Sequence, residues 1–155
     1  MPKVPKFIAS HDKTPKYIVK DVADMMELST YTIRYYENSG LVLGVDRTGG
    51  NIRMFSEYSL SWLRLVHCLR ATGLPIEGGR HYIQLCEKGE STIPERAAII
   101  FAQERSLKLQ LKALNQQMEV LKYKKHFYEQ LLEGNETDRC NPAVMANVES
   151  SMTEK

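Results

Sequence analysis

From Val19 the apolar positions recur at helical spacing. Val19, Val22, Ala23 and Met26 fall at i, i+3, i+4 and i+7, which gathers them on one face of a helix. Leu28 closes the stripe. Ser29 is a good N-cap for a second helix, and Gly40 is placed to end it in the left-handed conformation. Two short helices joined by a turn of about four residues form a helix-turn-helix candidate. Residues 41–55 then read LVLGVDRTGGNIRMF. Gly49-Gly50-Asn51 between the runs Val42–Arg47 and Ile52–Phe55 predicts a hairpin. Ser56 caps a third helix to about Thr72, with Trp62, Leu65, Val66 and Leu69 expected on its buried face and Gly73 as its stop. Pro75 opens a fourth helix to about Lys88, weakened at its start by Gly78 and Gly79.

A longer pattern follows. Thr92-x-x-Glu95 predicts a capping box, and from Pro94 to Glu133 the chain has no Gly and no further Pro. At about 1.5 Å per residue, helix from 92 to 133 spans about 63 Å, too long to fold back on so small a domain. In steps of four and three the seam is Ile93, Ala97, Ile100, Glu104, Leu107, Leu111, Leu114, Met118, Leu121, Lys125, Tyr128 and Leu132. All but Glu104 and Lys125 are apolar or aromatic, a coiled-coil signal. A parallel pair would set Glu104 against Glu104 and Lys125 against Lys125. An antiparallel pair centred on Leu114 sets Leu111 against Met118, Leu107 against Leu121, Glu104 against Lys125 and Ile100 against Tyr128. The charged exceptions therefore select an antiparallel homodimer.

The second helix raises a different question. Residues 29–40 read STYTIRYYENSG, with three tyrosines, one arginine and a single aliphatic residue, Ile33. With Ile33 pointing inward, Tyr31, Tyr35 and Asn38 occupy the opposite face, Arg34 lies at its edge, and Tyr36 and Glu37 flank the buried side. Tyrosine hydroxyls donate to phosphate, and arginine donates twice to guanine or clamps a phosphate. The hairpin adds Arg47 and Arg53 on opposite arms, a wing able to straddle the adjacent backbone. The partner expected is double-stranded DNA.

Charge and composition sharpen this picture. The net charge is +2, but residues 1–80 carry 11 Lys/Arg against 8 Asp/Glu, and residues 81–155 carry 10 against 11. The basic excess sits with the tyrosine-rich helix, as a binder of acidic polymer requires. The N-terminus lacks an apolar h-region, no apolar run approaches membrane-spanning length, and the three cysteines are widely spaced, so a reducing, cytoplasmic and nucleoid-associated setting is expected. No paired carboxylates, nucleophile motif or phosphate loop point to an enzyme, and no cofactor is expected. A pure coiled-coil adaptor would account for the long helix but not for the tyrosine face and wing.

The stretches VKDVADMMELSTYTIRYYENSGL and TGGNIRMFSE, with W-x5-C-LR-x2-G-L at 62–74, resemble the MerR family of transcriptional regulators over about residues 17–133. The resemblance implies a winged-helix dimer on a pseudo-palindromic promoter operator. It further implies that the dimer kinks and untwists over-long promoter DNA to re-align its elements for RNA polymerase, at a deformation cost of a few kcal/mol. By position, Arg34 and Tyr35 would be recognition-helix contacts and Arg53 the wing contact. The chain departs from the family pattern at Glu27 (usually glycine), Gly44 (commonly proline), Asn51 (commonly glycine) and Phe55 (usually tyrosine), the last losing a hydroxyl able to contact the DNA backbone.

The family's effectors act after the wing or through a further domain. Cys68, in RLVHCLRATG, matches the cysteine of the thiol- and aldehyde-responsive branch, and is expected to act as sensor through adduct formation or sulfenylation. Arg64, His67 and Arg70 lie near it in sequence, and cationic neighbours favour thiolate, whereas a position late in its helix disfavours an anion. Two alternatives stand beside it: a metal-responsive regulator, for which Cys140, Cys86 and the Glu77/His81 pair offer too few convergent soft ligands, and an effector-independent regulator or repressor. The architecture expected is therefore mainly α: a flexible basic arm (1–16), a winged helix-turn-helix domain with two further helices (17–89), a long antiparallel coiled-coil dimerisation helix (91–133) and a mostly disordered tail (134–155).

Overall fold

The computed structural model describes residues 8–144. In chain order it holds helices α1 (Val19–Met26) and α2 (Thr30–Asn38), strands β1 (Asp46–Arg47) and β2 (Arg53–Met54), helices α3 (Glu57–Ala71) and α4 (Ile76–Glu87), a 3-10 turn (Glu90–Thr92) and helix α5 (Ile93–Leu132). The chain divides into two compact units, with the boundary between Leu107 and Lys108 inside α5.

In the first unit the caps form where the sequence places them. Ser29 Oγ accepts from the Thr32 amide at 3.1 Å. Gly40, at φ 76°, lets Leu41 N–H reach back to Tyr36 O at 3.1 Å, closing α2. Ser56 and Ser59 make a reciprocal box, each hydroxyl accepting from the other's amide, so Ser59 takes the part usually given to Glu. Val22, Ile33, Leu41, Phe55, Leu60, Leu63 and Ile83 are fully buried in one core, each contributing about 1.5–3 kcal/mol. On α3 the burial is wider than the expected stripe: Leu60 and Leu63 join Val66 and Leu69, while Trp62 and Leu65 are only half-buried. The reason is that α3 packs against both α2 and α4.

The departures from the family pattern have local explanations. Glu27 adopts the left-handed conformation anyway, at φ 54° and ψ 39°, a cost of about 1–2 kcal/mol for a residue with a Cβ. Asn51 does the same at φ 59°, in keeping with the tolerance of asparagine for that region. Gly44 lies at φ 74°, which proline cannot reach, and a Cβ there would stand 2.6 Å from Tyr58 Cδ1. Phe55 is fully buried, so the missing hydroxyl is lost from the core side of the wing rather than from an exposed surface.

Three expectations are corrected. Residues 10–16 of the basic arm are not free: Ser10 N–H donates to Ser61 Oγ at 2.9 Å, Asp12 O accepts from the Tyr58 amide, and Lys16 and Tyr17 N–H both reach Phe55 O. Tyr17 and Phe55 form an antiparallel bridge immediately after β2. The arm is held by these bonds, one of which satisfies an orphan donor at the start of α3, the Tyr58 amide; residues 1–7 lie outside the described residues. Thr92 does not cap α5 in a box with Glu95. Its buried hydroxyl shares its proton between Leu85 O and Gly89 O, each at 2.7 Å, and accepts from Arg96 Nε at 3.1 Å, because the preceding 3-10 turn rotates it toward the open carbonyl end of α4. The tail is ordered as far as residue 144. In the second unit Asn135 N–H returns to Gln130 O at 2.9 Å, Arg139 stacks 5.1 Å from the Phe127 ring centre and pairs with Glu136 at 3.4 Å, and a short helical turn begins at 142. Covering the buried Phe127 fixes this segment; residues 145–155 lie outside the described residues.

Candidate nucleic-acid interface

The candidate surface is built on α2. Ile33 and Tyr36 are buried, and this seats the helix with Tyr31 76 % and Tyr35 42 % exposed and with Arg34 and Asn38 also exposed. The expected face therefore presents its four side chains to solvent. Beside it stands the wing, in which Asp46 pairs with Met54 and Arg47 with Arg53. Thr48 closes the hairpin through Thr48 N–H to Ile52 O and Asn51 N–H to Thr48 O. A groove of about 390 Å³ runs between residues 18–20 at the start of α1, Arg34, and residues 51–53 of the wing. Lys20, Arg34 and Arg53 line it together, which suits a phosphate chain.

The wing arginines are not loose. Arg53 donates from Nε to Glu37 Oε2 at 3.0 Å and from Nη2 to Asn38 Oδ1 at 2.9 Å, while Arg47 Nη2 lies 3.5 Å from Glu37 Oε1. Glu37, on the flank of the helix, is thus a participant. One signal pointed to it: positions 47 and 53 are equidistant from Gly50, so a symmetric hairpin opposes two arginines, and such a pair needs a carboxylate. Asn38 keeps its amide NH2 for other partners, because its carbonyl is the group that Arg53 occupies.

The candidate sensor sits apart from this surface. Cys68 is half-buried on α3, and burial pushes its thiol above the ordinary pKa. The expected cationic activation is absent from the balance: Arg70 donates from Nη1 to Leu74 O at 2.8 Å, tying off the end of α3. Cys86 is also raised by burial, partly offset by Arg96. Glu77 pairs with Arg80 instead of chelating with His81. Among the described residues no group of three His, Cys, Asp or Glu converges for a metal ion, and no helix is long and apolar enough to cross a membrane.

On α5 the seam residues Leu107, Leu111, Leu114, Met118, Leu121 and Tyr128 are 46–61 % exposed, and Ile100 is exposed as well. Glu104 is exposed, and Lys125 lies 3.7 Å from Glu129 one turn on. In the single chain these positions leave their apolar surface in water.

Comparison with known proteins agrees with the geometry. Residues 17–86 match the model of the MerR HTH family regulatory protein. An uncharacterized HTH-type transcriptional regulator of Haemophilus influenzae is 31% identical over 113 residues, covering 73% of this chain and 84% of that protein. The HTH-type transcriptional regulator AdhR of Bacillus subtilis is 34% identical over 82 residues, covering 53% of this chain and 59% of that protein. Among solved structures, HiNmlR, a MerR family regulator lacking the sensor domain and bound to promoter DNA, is similar with a TM-score of 0.61 at 31% identity, covering 74% of this chain and 90% of that one. A MerR family regulator from Bacillus thuringiensis is similar with a TM-score of 0.58 at 29% identity, covering 71% of this chain and 96% of that one. With its helix-turn-helix, two-stranded wing and long C-terminal helix, the chain belongs to the MerR family of DNA-binding transcriptional regulators.

Proposed function

We propose that this regulator works as an antiparallel homodimer that reads a pseudo-palindromic operator and distorts the promoter DNA between its half-sites, re-aligning the promoter elements for RNA polymerase. The observation that carries the reading is the pairing of two exposed surfaces on one chain: the Tyr31, Arg34, Tyr35 and Asn38 face beside the wing, and the apolar seam of α5. The first suits one half-site. The second requires a copy to cover it, and a copy brings the second reading face. Glu104 against Lys125 across the dimer selects the antiparallel register, with a direct worth of about 0.2–1 kcal/mol when exposed. DNA deformation costs of order 1–6 kcal/mol are then met by the added backbone contacts of two rigidly joined heads.

The stimulus in this reading is an electrophile or aldehyde that modifies Cys68. The raised pKa makes Cys68 a protonated thiol at neutral pH, so its reactivity climbs as pH rises toward the thiol's titration. An adduct on a half-buried residue of α3 would crowd that helix. The neighbouring anchor, Gln103 Nε2 to Thr72 O at 2.7 Å, ties the end of α3 to the start of α5 and offers a mechanical link. The test is transcription from the regulator's own promoter, with and without an aldehyde, in wild type and Cys68→Ser. Loss of induction in the variant, with DNA affinity retained, supports the sensor role; full induction rejects it. A second reading, regulation without a chemical effector, is favoured by the raised thiol pKa and by the similarity to HiNmlR, which lacks a sensor domain. It predicts equal promoter output in both strains under every condition.

A further inference from the structure

The wing holds two arginines directly opposite one another, Arg47 and Arg53. Like charges so opposed repel, yet both point toward one helix, because a single carboxylate takes one arginine on each oxygen. Glu37 Oε2 meets Arg53 Nε at 3.0 Å and Oε1 meets Arg47 Nη2 at 3.5 Å. The two contacts are unequal. Glu37 and Arg53 are only 14% and 19% exposed, whereas Arg47 is 38% exposed and its contact is longer. Arg53 also donates to Asn38. Arg53 is therefore bolted to the recognition helix, and Arg47 is the contact that a phosphate can draw away.

We propose that Glu37 is a positioning residue for DNA discrimination: it fixes the wing against α2 and withholds the charge of Arg47 from DNA that does not also fit the recognition face. Resting on the DNA-reading function above, the inference assigns that function a specificity device. Two wing cations and one carboxylate leave the cluster a net +1. Mixed-sequence DNA offers phosphates alone and must compete with Glu37 for Arg47. A matched site brings groove contacts from α2 as well, and these supply the free energy for the exchange. Sequence-independent binding is mainly electrostatic, so withholding one cation weakens it more than specific binding, which raises the ratio between them.

The test compares wild type and E37Q on a duplex carrying the regulator's own promoter region and on a mixed-sequence duplex of equal length, from roughly 50 to 200 mM salt. In E37Q the mixed-sequence affinity should rise roughly fivefold near 0.15 M salt, and the slope of log affinity against log salt should steepen by roughly 0.9 per protomer. Discrimination between the two duplexes should fall accordingly. E37D, which keeps the charge, and E37Q/R47Q, which removes the released cation, should both return the slope to wild type, a rescue that a purely structural role would not give. Unchanged slope and discrimination in E37Q, or equal weakening on both duplexes, overturns the inference. If E37Q does not fold by thermal melting, R47Q alone decides: an unchanged mixed-sequence slope supports withholding and a shallower slope overturns it. Wild type showing no preference for its promoter would instead reject the DNA-reading function itself.

Discussion

Residues 19–87 and residues 108–132 are both helical and both carry apolar stripes, but they dispose of them in opposite ways. In the first region α1, α2, α3 and α4 turn their stripes on one another, and Ile33, Leu41, Phe55, Leu60 and Leu63 lose all contact with water. In the second, one long helix leaves its apolar stripe exposed, and among its residues only Phe127 is buried, beside Arg139 of the segment that follows. Short helices broken by caps and glycines can close a core by themselves. An uninterrupted helix of 40 residues, about 60 Å long, cannot. The difference teaches that the first region closes its core within one chain, whereas the long helix leaves its apolar seam exposed, the surface that the proposed second copy would cover.

Damage to the two regions should accordingly differ in kind. The largest effect is expected from Leu114→Glu. Two carboxylates would meet at the twofold of the proposed dimer, so the variant should sediment as a monomer, and operator affinity should fall by a hundredfold or more, on the order of 3 kcal/mol, while the melting of the first region changes little. A dimer of undiminished stability would remove the distinction between the regions. Thr92→Val should act within the chain. The valine removes the hydroxyl's bonds to Leu85 O, Gly89 O and Arg96 Nε, while both carbonyls keep backbone donors and Arg96 keeps Gly89 O, so the cost is about 1 kcal/mol in denaturant unfolding, with the proposed dimerisation through residues 108–132 retained. The smallest effect belongs to Glu27→Gly. Relief of the left-handed strain outweighs the added freedom of the unfolded chain by about 0.5 kcal/mol, a slight rise in melting temperature with DNA affinity unchanged. Cys68, like Cys86, contributes a pH dependence. Its folded-state pKa is raised, so the stability it contributes is full below the unfolded thiol's pKa and is lost as pH rises through the folded one; Cys68→Ser should flatten that alkaline decline.

The sequence was most legible where a local rule fixes a local shape. Ser29, Gly40 and Ser56 announce helix ends, Gly49-Gly50-Asn51 announces the hairpin, and the inward pole at Ile33 orders the recognition face, because each is decided by residues within one or two turns. What stayed illegible depends on groups brought together from afar. Asp12 O and Phe55 O receive amides from Tyr58 and Lys16, and a backbone carbonyl carries no mark in the sequence. Thr92 looks like a cap until the 3-10 turn rotates it. Glu37 looks like a flank of α2 until the hairpin register sets two arginines before it. The thiol of Cys68 shows the same limit: neighbours in sequence promised activation, but side-chain direction and burial decide the balance.

The central claim is that two copies pair antiparallel through α5 with the twofold near Leu114. Disulfide cross-linking tests it most directly, in a background where Cys68, Cys86 and Cys140 are replaced by serine. Leu114→Cys should cross-link to its own copy under mild oxidation, Ile100→Cys should not, and a mixture of Ile100→Cys with Tyr128→Cys should yield the mixed dimer. Ready cross-linking of Ile100→Cys to itself, with no 100-to-128 product, would mean parallel helices and would contradict the account.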